Sequence, residues 1–341
     1  MLRLLNIITF FFVFNLFATV AFADTSFVNR PDVKTFIQSM VKKHHFKKKS
    51  LETLFNQVKI RPKIIQHIKK PLEKEPWHLY QVLFVNESRI KNGVSFWNKH
   101  EKALKKAEQL YGVPASIIVA TIGIESKYGQ RKGNYPVIDA LSNLAFSDSK
   151  RAPFFRNELE QFLLLTRENH LNPLKVMGSY AGAIGQPQFM PTSYRHFAVN
   201  FSKSGKIDLM NNEVDVIGSI ANYYQKHGWR PSEPIAIPAL RIGDRYDYLM
   251  RKNKINQPFY ISDIIRYGIV PKYKISKGSD LLKVKVIELQ SNYTKEYWLG
   301  FNNFIVIKRY NSSDLYAMAV YQLSHYIAAL RDQSNHGKHT T

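Results

Sequence analysis

Cysteine is absent from all 341 residues of the chain. Its absence excludes disulfide bonds as a source of stability, and it leaves no cysteine after an N-terminal signal to accept a lipid. Long apolar runs are also absent beyond residue 23, so we expect no later membrane-spanning segment. The chain is long enough for two or three compact units with a sizeable core.

The first 23 residues have the composition of an export signal. Arg3 precedes a phenylalanine-rich apolar run, and the small residues of Ala21-Phe22-Ala23 precede Asp24. This pattern predicts a cleaved signal peptide and a soluble periplasmic protein that is not a lipoprotein. The alternative is an uncleaved N-terminal membrane anchor, because the apolar run is close to spanning length.

Acidic residues are few: 49 Lys and Arg stand against 26 Asp and Glu, giving a net charge of +23. Such an excess favours anionic partners through electrostatic steering. For an exported protein, an acidic wall polymer or a membrane surface fits better than nucleic acid. A solvated basic surface with no specific partner is the remaining interpretation. We expect no nucleic-acid binding, since no nucleic-acid-binding fold is recognisable.

One carboxylate interrupts the most apolar predicted helix. The stretch PASIIVATIGIESKYG begins with Pro114, which suits a first helical turn, and ends with Gly129, which suits the position past a helix end. A helix with so little polar surface is expected to be buried. Its one carboxyl group, Glu125, is either neutralised by Lys127 or Arg131 or kept protonated by a raised pKa, as a general acid near neutral pH requires.

Carboxylates are missing from a whole segment, since no Asp or Glu lies in residues 169–207. Within it, GSYAGAIGQPQFMPTSY (178–194) combines closely spaced glycines with hydroxyl, amide and aromatic side chains. This composition is typical of a polysaccharide-binding cleft. The alternative is a tight helix–helix crossing, which the amides of Gln186 and Gln188 disfavour. The segment cannot supply the second carboxylate of an ordinary glycosidase.

Sequence periodicity divides the mature chain into helical and β parts. Residues 24–110 predict an N-terminal helical subdomain, and residues 111–230 predict a helical core. Residues 231–309 predict a small β-containing subdomain, with strands in PIAIPALRI, KVKVIELQ and NFIVIKRY and a short helix in YISDIIRYGIV. Residues 310–330 predict a C-terminal helix that returns to the core, and residues 331–341 a flexible tail.

Residues 200–211 have the spacing of a calcium-binding loop, with Gly205 at the turn position. Amides and hydroxyls replace carboxylates, and lysines are interspersed, so we expect the turn to be kept and no metal to bind. A helix is predicted over residues 214–227, and Asp215 is expected to interact with its N-terminus. The ligand positions that lack a carboxylate are Asn200, Ser202, Ser204 and Asn211.

Four spaced stretches together resemble the lytic murein transglycosylase B family. They are IGIESKYG around Glu125, GSYAGAIGQPQFMPTSY, DVIGSIANYYQKHGW, and NFIVIKRYNSSDLYAMAVYQL near the end. The resemblance covers residues 30–330. It implies a mainly α (α+β) fold: a lysozyme-like helical core, a helical subdomain before it and a small inserted β subdomain. The chain departs from the family in its poor calcium loop and in the missing lipid-accepting cysteine.

The resemblance also implies a peptidoglycan lyase that cleaves the β-1,4 bond between N-acetylmuramic acid and N-acetylglucosamine and leaves a 1,6-anhydromuramoyl end. It implies Glu125 as the single catalytic acid/base and no cofactor. The expected partner is a peptidoglycan glycan strand, bound by a monomer, with other cell-wall enzymes as further partners. The residues that match substrate-binding positions of the family are Ser179, Gln188, Tyr80, Tyr223, Tyr310, Asn311 and Tyr316.

The residues support a mechanism with one carboxylate. Protonated Glu125 would protonate the leaving oxygen, the substrate's own acetamido group would attack, and the ionised carboxylate would then deprotonate the muramoyl 6-hydroxyl. One rival is a lysozyme-type hydrolase in which Asp139 or Asp208 assists Glu125. The other is a catalytically inactive peptidoglycan-binding protein.

Overall fold

The structure of the chain is a computed structural model that describes residues 26–68, 75–251, 258–275 and 281–338. The predicted export signal at residues 1–23 lies outside the described residues. Within those residues, no single helix is long and apolar enough to cross a membrane. Two successive helices, Glu101–Tyr111 and Ala115–Ser126, reach that length and apolarity only as a pair, and the pair is bent by 114°.

The chain forms two compact units, Met1–Gln57 and Val58–Thr341. In the described part of the first unit, a 3-10 helix at Phe27–Asn29 is followed by α1 (Pro31–His44) and α2 (Lys48–Phe55). Its core is aromatic: the ring of Phe55 lies 6.5 Å from that of Phe27 and 5.9 Å from that of Phe36. The subdomain boundaries predicted from the sequence stay predictions.

The second unit is mainly helical and holds every candidate site residue. Its helices are α3 (Pro62–Ile68), α4 (Trp77–Phe84), α5 (Glu87–Lys99), α6 (Glu101–Tyr111), α7 (Ala115–Ser126), α8 (Val137–Ala145), α9 (Ala152–Glu168), α10 (Pro191–Phe197), α11 (Glu213–Lys226), α12 (Arg245–Arg251), α13 (Ile261–Arg266), α14 (Asn302–Tyr310) and α15 (Asp314–Lys338). The helices predicted over residues 114–129 and 214–227 correspond to α7 and α11, which confirms both.

Helix α7 carries Glu125 and packs against α5, α6, α11 and α15. All of its residues are buried except Ser116 and Glu125, which are half-buried; burial on all sides is expected of a helix without a polar face. The helix ends where Lys127 adopts the left-handed conformation, with φ 50°, and Gly129 follows with φ 84°. The prediction of a buried helix with one carboxylate near its C-terminal end is therefore confirmed.

Two sheets complete the second unit. A small one pairs β1 (Tyr135–Pro136) with β2 (Met177–Gly178). The larger is antiparallel, with strand order β4-β6-β7-β3-β5. Its strands are β3 (Ala236–Arg241), β4 (Phe259–Tyr260), β5 (Ile269–Pro271), β6 (Lys283–Gln290) and β7 (Lys295–Gly300). β3 and β6 confirm two of the predicted strands, and α13 confirms the short helix between them.

The larger sheet has a hydrophobic core of its own. Ile261 and Ile264 of α13, Val284 of β6 and Leu299 of β7 are buried together with Tyr246 of α12. Val284 and Val286, two alternate residues of β6, both belong to this core. The sheet is therefore stabilised by packing against α12 and α13.

One predicted strand is wrong. The sequence NFIVIKRY, residues 303–310, forms most of helix α14. Asn303, Phe304 and Ile307 recur at helical spacing and are completely buried, and Asn303 Nδ2 donates to the Arg230 carbonyl at 2.8 Å. Local β propensity favours a strand, but burial of one helical face decides the structure.

α15 continues past Leu330 to Lys338, so part of the predicted tail is helical, and its flexibility stays a prediction. The guanidinium of Arg331 donates to Glu101 Oε1 at 2.5 Å and lies 4.8 Å from the centre of the Trp97 ring. These contacts hold the helix beyond its predicted end. Residues 339–341 lie outside the described residues.

Candidate active site

Glu125 is held by a tyrosine from the other end of the second unit. Tyr316, in the first turn of α15, donates its hydroxyl proton to Glu125 Oε1 at 2.5 Å. The length is that of a charge-assisted hydrogen bond. Burial raises the pKa of Tyr316 well above its ordinary value, and the charge of Glu125 raises it further. Tyr316 therefore stays protonated and acts as a donor to the carboxylate.

Three more tyrosines surround this pair. The ring of Tyr310 stacks on that of Tyr316 at 6.3 Å, and it lies 4.8 Å from Tyr223 and 5.7 Å from Tyr224. Burial, together with the negative charge of Glu125, raises the pKa of all three tyrosines. The carboxylate is thus bordered by neutral phenols, which can orient hydroxyl and amide groups of a ligand.

The segment 178–194 lies against this group. Tyr310 donates its hydroxyl proton to the Pro187 carbonyl at 2.5 Å, and the rings of Phe189 and Tyr310 are 5.7 Å apart. On the other side, Gly129 contacts Gln186, because a Cβ at Gly129 would lie 2.9 Å from the Gln186 side-chain amide carbon. The α7 end and the glycine-rich segment therefore lie side by side at the candidate site.

Turns and isolated bridges form the glycine-rich segment, and none of residues 178–190 is helical. The alternative of a helix–helix crossing is therefore wrong. Gly185 needs the left-handed region, with φ 75°, and a Cβ there would lie 2.5 Å from the Leu209 carbonyl oxygen. Glycine is required at this position because the backbone is both left-handed and in close contact with a neighbouring loop.

The structure places the side chains of Ser179 and Gln188 within the turns of this segment. Ser179 Oγ accepts from Ala183 N at 3.0 Å. Gln188, itself left-handed with φ 49°, donates from Nε2 to the Gly185 carbonyl at 2.7 Å and to the Lys132 carbonyl at 3.2 Å. Both residues stabilise the turns of segment 178–194. Their contact with substrate stays a prediction.

The remaining predicted cleft residues lie in different surroundings. Tyr223 donates its hydroxyl proton to the Arg309 carbonyl at 2.6 Å, next to Tyr310. Asn311 precedes α15, and its Oδ1 accepts from Ser313 N at 3.1 Å. Tyr80 is buried in α4, where its ring lies 4.6 Å from Phe84. The described contacts bring Tyr223, Tyr310 and Tyr316 together, whereas Tyr80 packs against Phe84 of its own helix.

Cations gather at the C-terminal end of α7. The pKa of Lys127 is lowered, first by the charge of Arg131, then by burial and by Arg89. Positive charge is favourable at a helix C-terminus. The alternative role of Lys127 or Arg131, neutralising Glu125, stays a prediction.

The two aspartates proposed for a hydrolytic mechanism are engaged elsewhere. Asp139 is buried and forms an ion pair with Arg61 at 2.7 Å, and it also accepts from Lys59 N at 3.0 Å. Asp208 Oδ1 accepts from the backbone of Met210 at 2.9 Å. These contacts give each carboxylate a role in holding the chain.

The loop at residues 200–211 keeps its turn, with Gly205 at φ 87°. Asn200 Oδ1 accepts from Ser204 N at 3.0 Å, so an amide closes the loop from within. Within the described ranges, no group of three or more His, Asp or Glu side chains is placed to hold a metal ion.

Asp215 has a role in addition to the one predicted. The N-terminus of α11 is capped by Asn212, whose side chain accepts from Val214 N at 3.0 Å. Asp215 is completely buried and accepts from Ser202 N at 2.8 Å and Asp208 N at 3.1 Å. Asp215 lies in the first turn of α11, which is consistent with the expected interaction with the helix N-terminus. Asp215 fastens the loop, a contact that helical periodicity does not indicate.

Sequence reasoning also misses a hydrogen bond that joins α7 to the tyrosine group. Thr121 Oγ1 donates to the Ile117 carbonyl at 2.8 Å and lies 2.9 Å from the hydroxyl of Tyr224, which acts as the donor. Periodicity assigns Tyr224 only to the apolar face of α11. A polar Thr121 four residues before Glu125, on the same helical face, is the available signal.

The chain is similar to proteins of known function. The family model described as the transglycosylase SLT domain matches residues 29–325. Membrane-bound lytic murein transglycosylase B of Escherichia coli (strain K12) is 37% identical over 317 residues, covering 90% of this chain and 85% of the relative.

Solved structures match over most of the chain as well. Soluble lytic transglycosylase SltB1 from Pseudomonas aeruginosa matches with a TM-score of 0.80 and 40% identity, covering 89% of this chain and 100% of that one. SltB3 from the same organism, solved in complex with NAG-NAM-pentapeptide, matches with a TM-score of 0.76 and 26% identity, covering 86% of this chain and 78% of that one. The predicted mainly helical, lysozyme-like fold with a small sheet is confirmed.

Proposed function

Because the chain belongs to the transglycosylase SLT domain family, we propose that it cleaves the bond between N-acetylmuramic acid and N-acetylglucosamine and leaves 1,6-anhydromuramoyl ends. The chain is a peptidoglycan lytic transglycosylase, and hence a lyase; the predicted family and enzyme class are confirmed. The site of cleavage, the product and the residue roles are the proposal.

One observation carries the mechanism: the hydrogen bond from Tyr316 to Glu125 Oε1. Because Oε1 accepts the hydrogen bond from Tyr316, we assign to Oε2 the proton that Glu125 gives to the substrate. In the first step Glu125 donates this proton to the glycosidic oxygen, and the bond from that oxygen to the muramoyl anomeric carbon breaks. The carbonyl oxygen of the muramoyl 2-acetamido group then forms a bond to the anomeric carbon and takes up the developing positive charge.

The second step uses the same carboxylate as a base. Glu125, now ionised, removes the proton of the muramoyl 6-hydroxyl, whose oxygen attacks the anomeric carbon and displaces the acetamido oxygen. The 1,6-anhydro ring forms, Glu125 is protonated again, and no water is consumed. Tyr316 stabilises the intervening carboxylate by donating to it.

A single carboxylate suffices in this arrangement. An ordinary glycosidase needs a second Asp or Glu as nucleophile or base. The facing segment 169–207 has none, and the contacts of Asp139 and Asp208 hold the chain elsewhere. The acetamido group of the substrate therefore takes the place of a protein nucleophile.

We assign substrate binding to Tyr223, Tyr310 and the glycine-rich segment 178–194. Tyr223 and Tyr310 surround Tyr316, and the amides of this segment offer donors and acceptors for a sugar. Ser179, Gln188 and Asn311 shape the surrounding turns. These positions hold the sugar ring and orient its acetamido group for attack. A role for Tyr80 stays a prediction.

The chain acts on the cell wall, and we propose that it does so in the periplasm after export by residues 1–23. The net charge of +23 attracts a polymer that carries lactyl and peptide carboxylates. An uncleaved signal would keep the enzyme at the membrane; the name of the Escherichia coli relative describes that protein as membrane-bound. Mass comparison of the mature chain decides between the two.

Product analysis tests the reaction. Purified sacculi digested by the wild-type chain should release muropeptides with anhydro ends, each about 18 Da lighter than the reducing-end product because water is not added. Reducing-end products would instead show the lysozyme-type hydrolase. Sacculus binding without any release would show the inactive binding protein.

A further inference from the structure

A cavity of about 570 Å³ lies between β4 and β6 of the larger sheet and the start of α14. Its volume is in the range of small-ligand sites. Three cationic side chains, Arg230, Lys283 and Lys285, line it together with the apolar surfaces of Phe301 and Ile305. The cavity thus combines positive charge with apolar walls.

The positive charge of the cavity is only partly balanced. Glu233, the acidic residue in its lining, pairs with Arg230 at 3.2 Å. Lys285 Nζ lies 3.3 Å from Asp314 Oδ2, but Asp314 Oδ1 also binds Lys308 Nζ at 2.6 Å. One carboxylate therefore serves two ammonium groups. The pKa of Lys285 is lowered, chiefly by burial, so a further anion beside it is favourable.

Lys285 also joins the cavity to the catalytic residues. Its partner Asp314 lies in the first turn of α15, two residues before Tyr316, which donates to Glu125. For a glycan held at Glu125, the attached peptide is the anionic part that extends away from the sugar. An extended pentapeptide spans at most roughly 18 Å.

We propose that this cavity binds the carboxylate-bearing end of the peptide attached to the glycan strand. The three cations would pair with peptide carboxylates, and Phe301 and Ile305 would contact the small apolar side chains between them. The inference rests on the proposed function, because the ligand is a part of the same substrate. Binding in this cavity would make the enzyme prefer glycan strands that carry peptides.

Lys283 provides the sharpest test. It is exposed and its ammonium lies 5.4 Å from the Tyr260 ring, so Lys283→Met removes a charge without opening the core. Lys272 is a matched control. It follows β5 at the opposite edge of the same sheet, and its ammonium lies 5.7 Å from the ring of Tyr273. Lys272→Met removes the same charge away from the cavity.

Cleavage by the wild type, Lys283→Met and Lys272→Met is compared on two substrates. One is peptide-bearing glycan strands, and the other is strands from which an amidase has removed the peptides. Lys283→Met should lower kcat/KM by about 3- to 10-fold on peptide-bearing strands, the effect of losing roughly one ion pair of 0.7–1.4 kcal/mol. It should leave cleavage of stripped strands unchanged, and Lys272→Met should match wild type on both. Equal losses on both substrates, or no loss on either, would overturn the proposal.

Binding is measured separately with the free tetrapeptide that the amidase releases. The Glu125→Gln chain should bind it saturably, and adding Lys283→Met should weaken binding at least threefold; absence of binding to Glu125→Gln overturns the proposal. If the wild type instead releases no anhydro ends from peptide-bearing or from stripped strands, the proposed function is wrong. The two failures are therefore distinguishable.

Discussion

The hydroxyl of Tyr316 lies 2.5 Å from Glu125 Oε1, although the two residues are 191 positions apart in the chain. α7 and α15 pack against each other and bring them together. A carboxylate that accepts a hydrogen bond from a protonated phenol keeps a fixed orientation. In the proposed mechanism, Glu125 would therefore present the same oxygen to the substrate in both proton transfers.

We expect Tyr316→Phe to lower kcat by about 10- to 100-fold with little change in KM. A hydrogen bond to a charged group contributes roughly 1.5–3 kcal/mol, and each 1.4 kcal/mol is a factor of ten. Steady-state release of anhydro products measures the effect. Tyr326→Phe, on an exposed position of the same helix, is the control and should behave as wild type. A Tyr316→Phe chain with unchanged kcat would contradict the assigned role.

We expect Glu125→Gln to lower the rate by at least about 10²- to 10⁴-fold, the usual contribution of a general acid/base. Glutamine keeps the shape but cannot exchange the proton, so binding to sacculi should persist. Pull-down with sacculi and muropeptide release are measured side by side. Glu101→Gln, which removes a carboxylate paired with Arg331 at the surface, serves as the control. Cleavage retained by Glu125→Gln would mean that another group is the acid.

Gly185→Ala should lower both stability and activity. The left-handed backbone costs a residue with a Cβ about 1–2 kcal/mol, and at Gly185 the Cβ would also meet the Leu209 carbonyl at 2.5 Å. We expect the free energy of unfolding to fall by about 3 kcal/mol in denaturant titration.

Gly205→Ala is the matched control for this substitution. Gly205 has φ 87°, and no atom lies within 4 Å of the position that a Cβ would take there, so only the backbone cost of about 1–2 kcal/mol applies. Activity should be kept by Gly205→Ala and reduced by Gly185→Ala, which borders Gln186 and Pro187. Equal losses of stability at both positions would contradict the importance of the contact with Leu209.

Glu158 should make the stability of the wild type fall between acidic and neutral pH. Burial raises its pKa above the ordinary 4.5, while its carboxylate accepts from Thr192 N at 2.9 Å. The folded state therefore binds this proton more tightly than the unfolded state. The associated stability is present below pH 4.5 and is lost as the pH rises through the folded pKa.

Glu158→Gln should remove this dependence. Unfolding by denaturant at about pH 4 and pH 7 should show that the variant gains stability relative to wild type at the higher pH, by about 1.4 kcal/mol for each unit by which the pKa is raised. Glu52→Gln, at a half-exposed carboxylate that pairs with Lys48 at 3.7 Å, is the control for the loss of a surface charge. A gain that is the same at both pH values would contradict the linkage.

Calcium should have little effect on the wild-type chain. A site with a Kd above about 1 mM adds at most roughly 0.4 kcal/mol at 1 mM calcium. We expect the Tm in about 1 mM calcium and in chelator to agree within about 1 °C. Asn200→Asp, Ser204→Asp and Asn211→Glu together should restore carboxylates to the loop and give a calcium-dependent rise in Tm. A shift of several degrees in the wild type would show that amides and hydroxyls suffice.

Helix α7 could be predicted because its signals are local. An apolar run bounded by Pro114 and Gly129 leaves few alternatives to a buried helix, and Glu125 is conspicuous within it. The absence of acidic residues in segment 169–207 likewise needs no structure to be seen. Tyr310 and Tyr316 are predicted as site residues only by the resemblance to a family. Periodicity alone places them at the start of the C-terminal helix.

Other features depend on contacts between distant residues. The Asp215 carboxylate accepts hydrogen bonds from Ser202 N and Asp208 N. No local sequence pattern shows which backbone amides a buried carboxylate will bind. Local propensity favours a strand where α14 forms, because the burial of Ile307 against the core is not visible in its neighbours. The helical continuation beyond Leu330 likewise depends on Arg331 meeting Glu101 and Trp97.

The two parts of the site at Glu125 differ in how they are held. α7 is buried on nearly all sides by four neighbouring helices, so the backbone that carries Glu125 has little room to shift. Residues 178–190, beside it, consist largely of turns and isolated bridges, but close contacts such as that of Gly185 with Leu209 hold them in place. Both parts of the site are therefore packed, and we expect a glycan strand to fit the site without reshaping it.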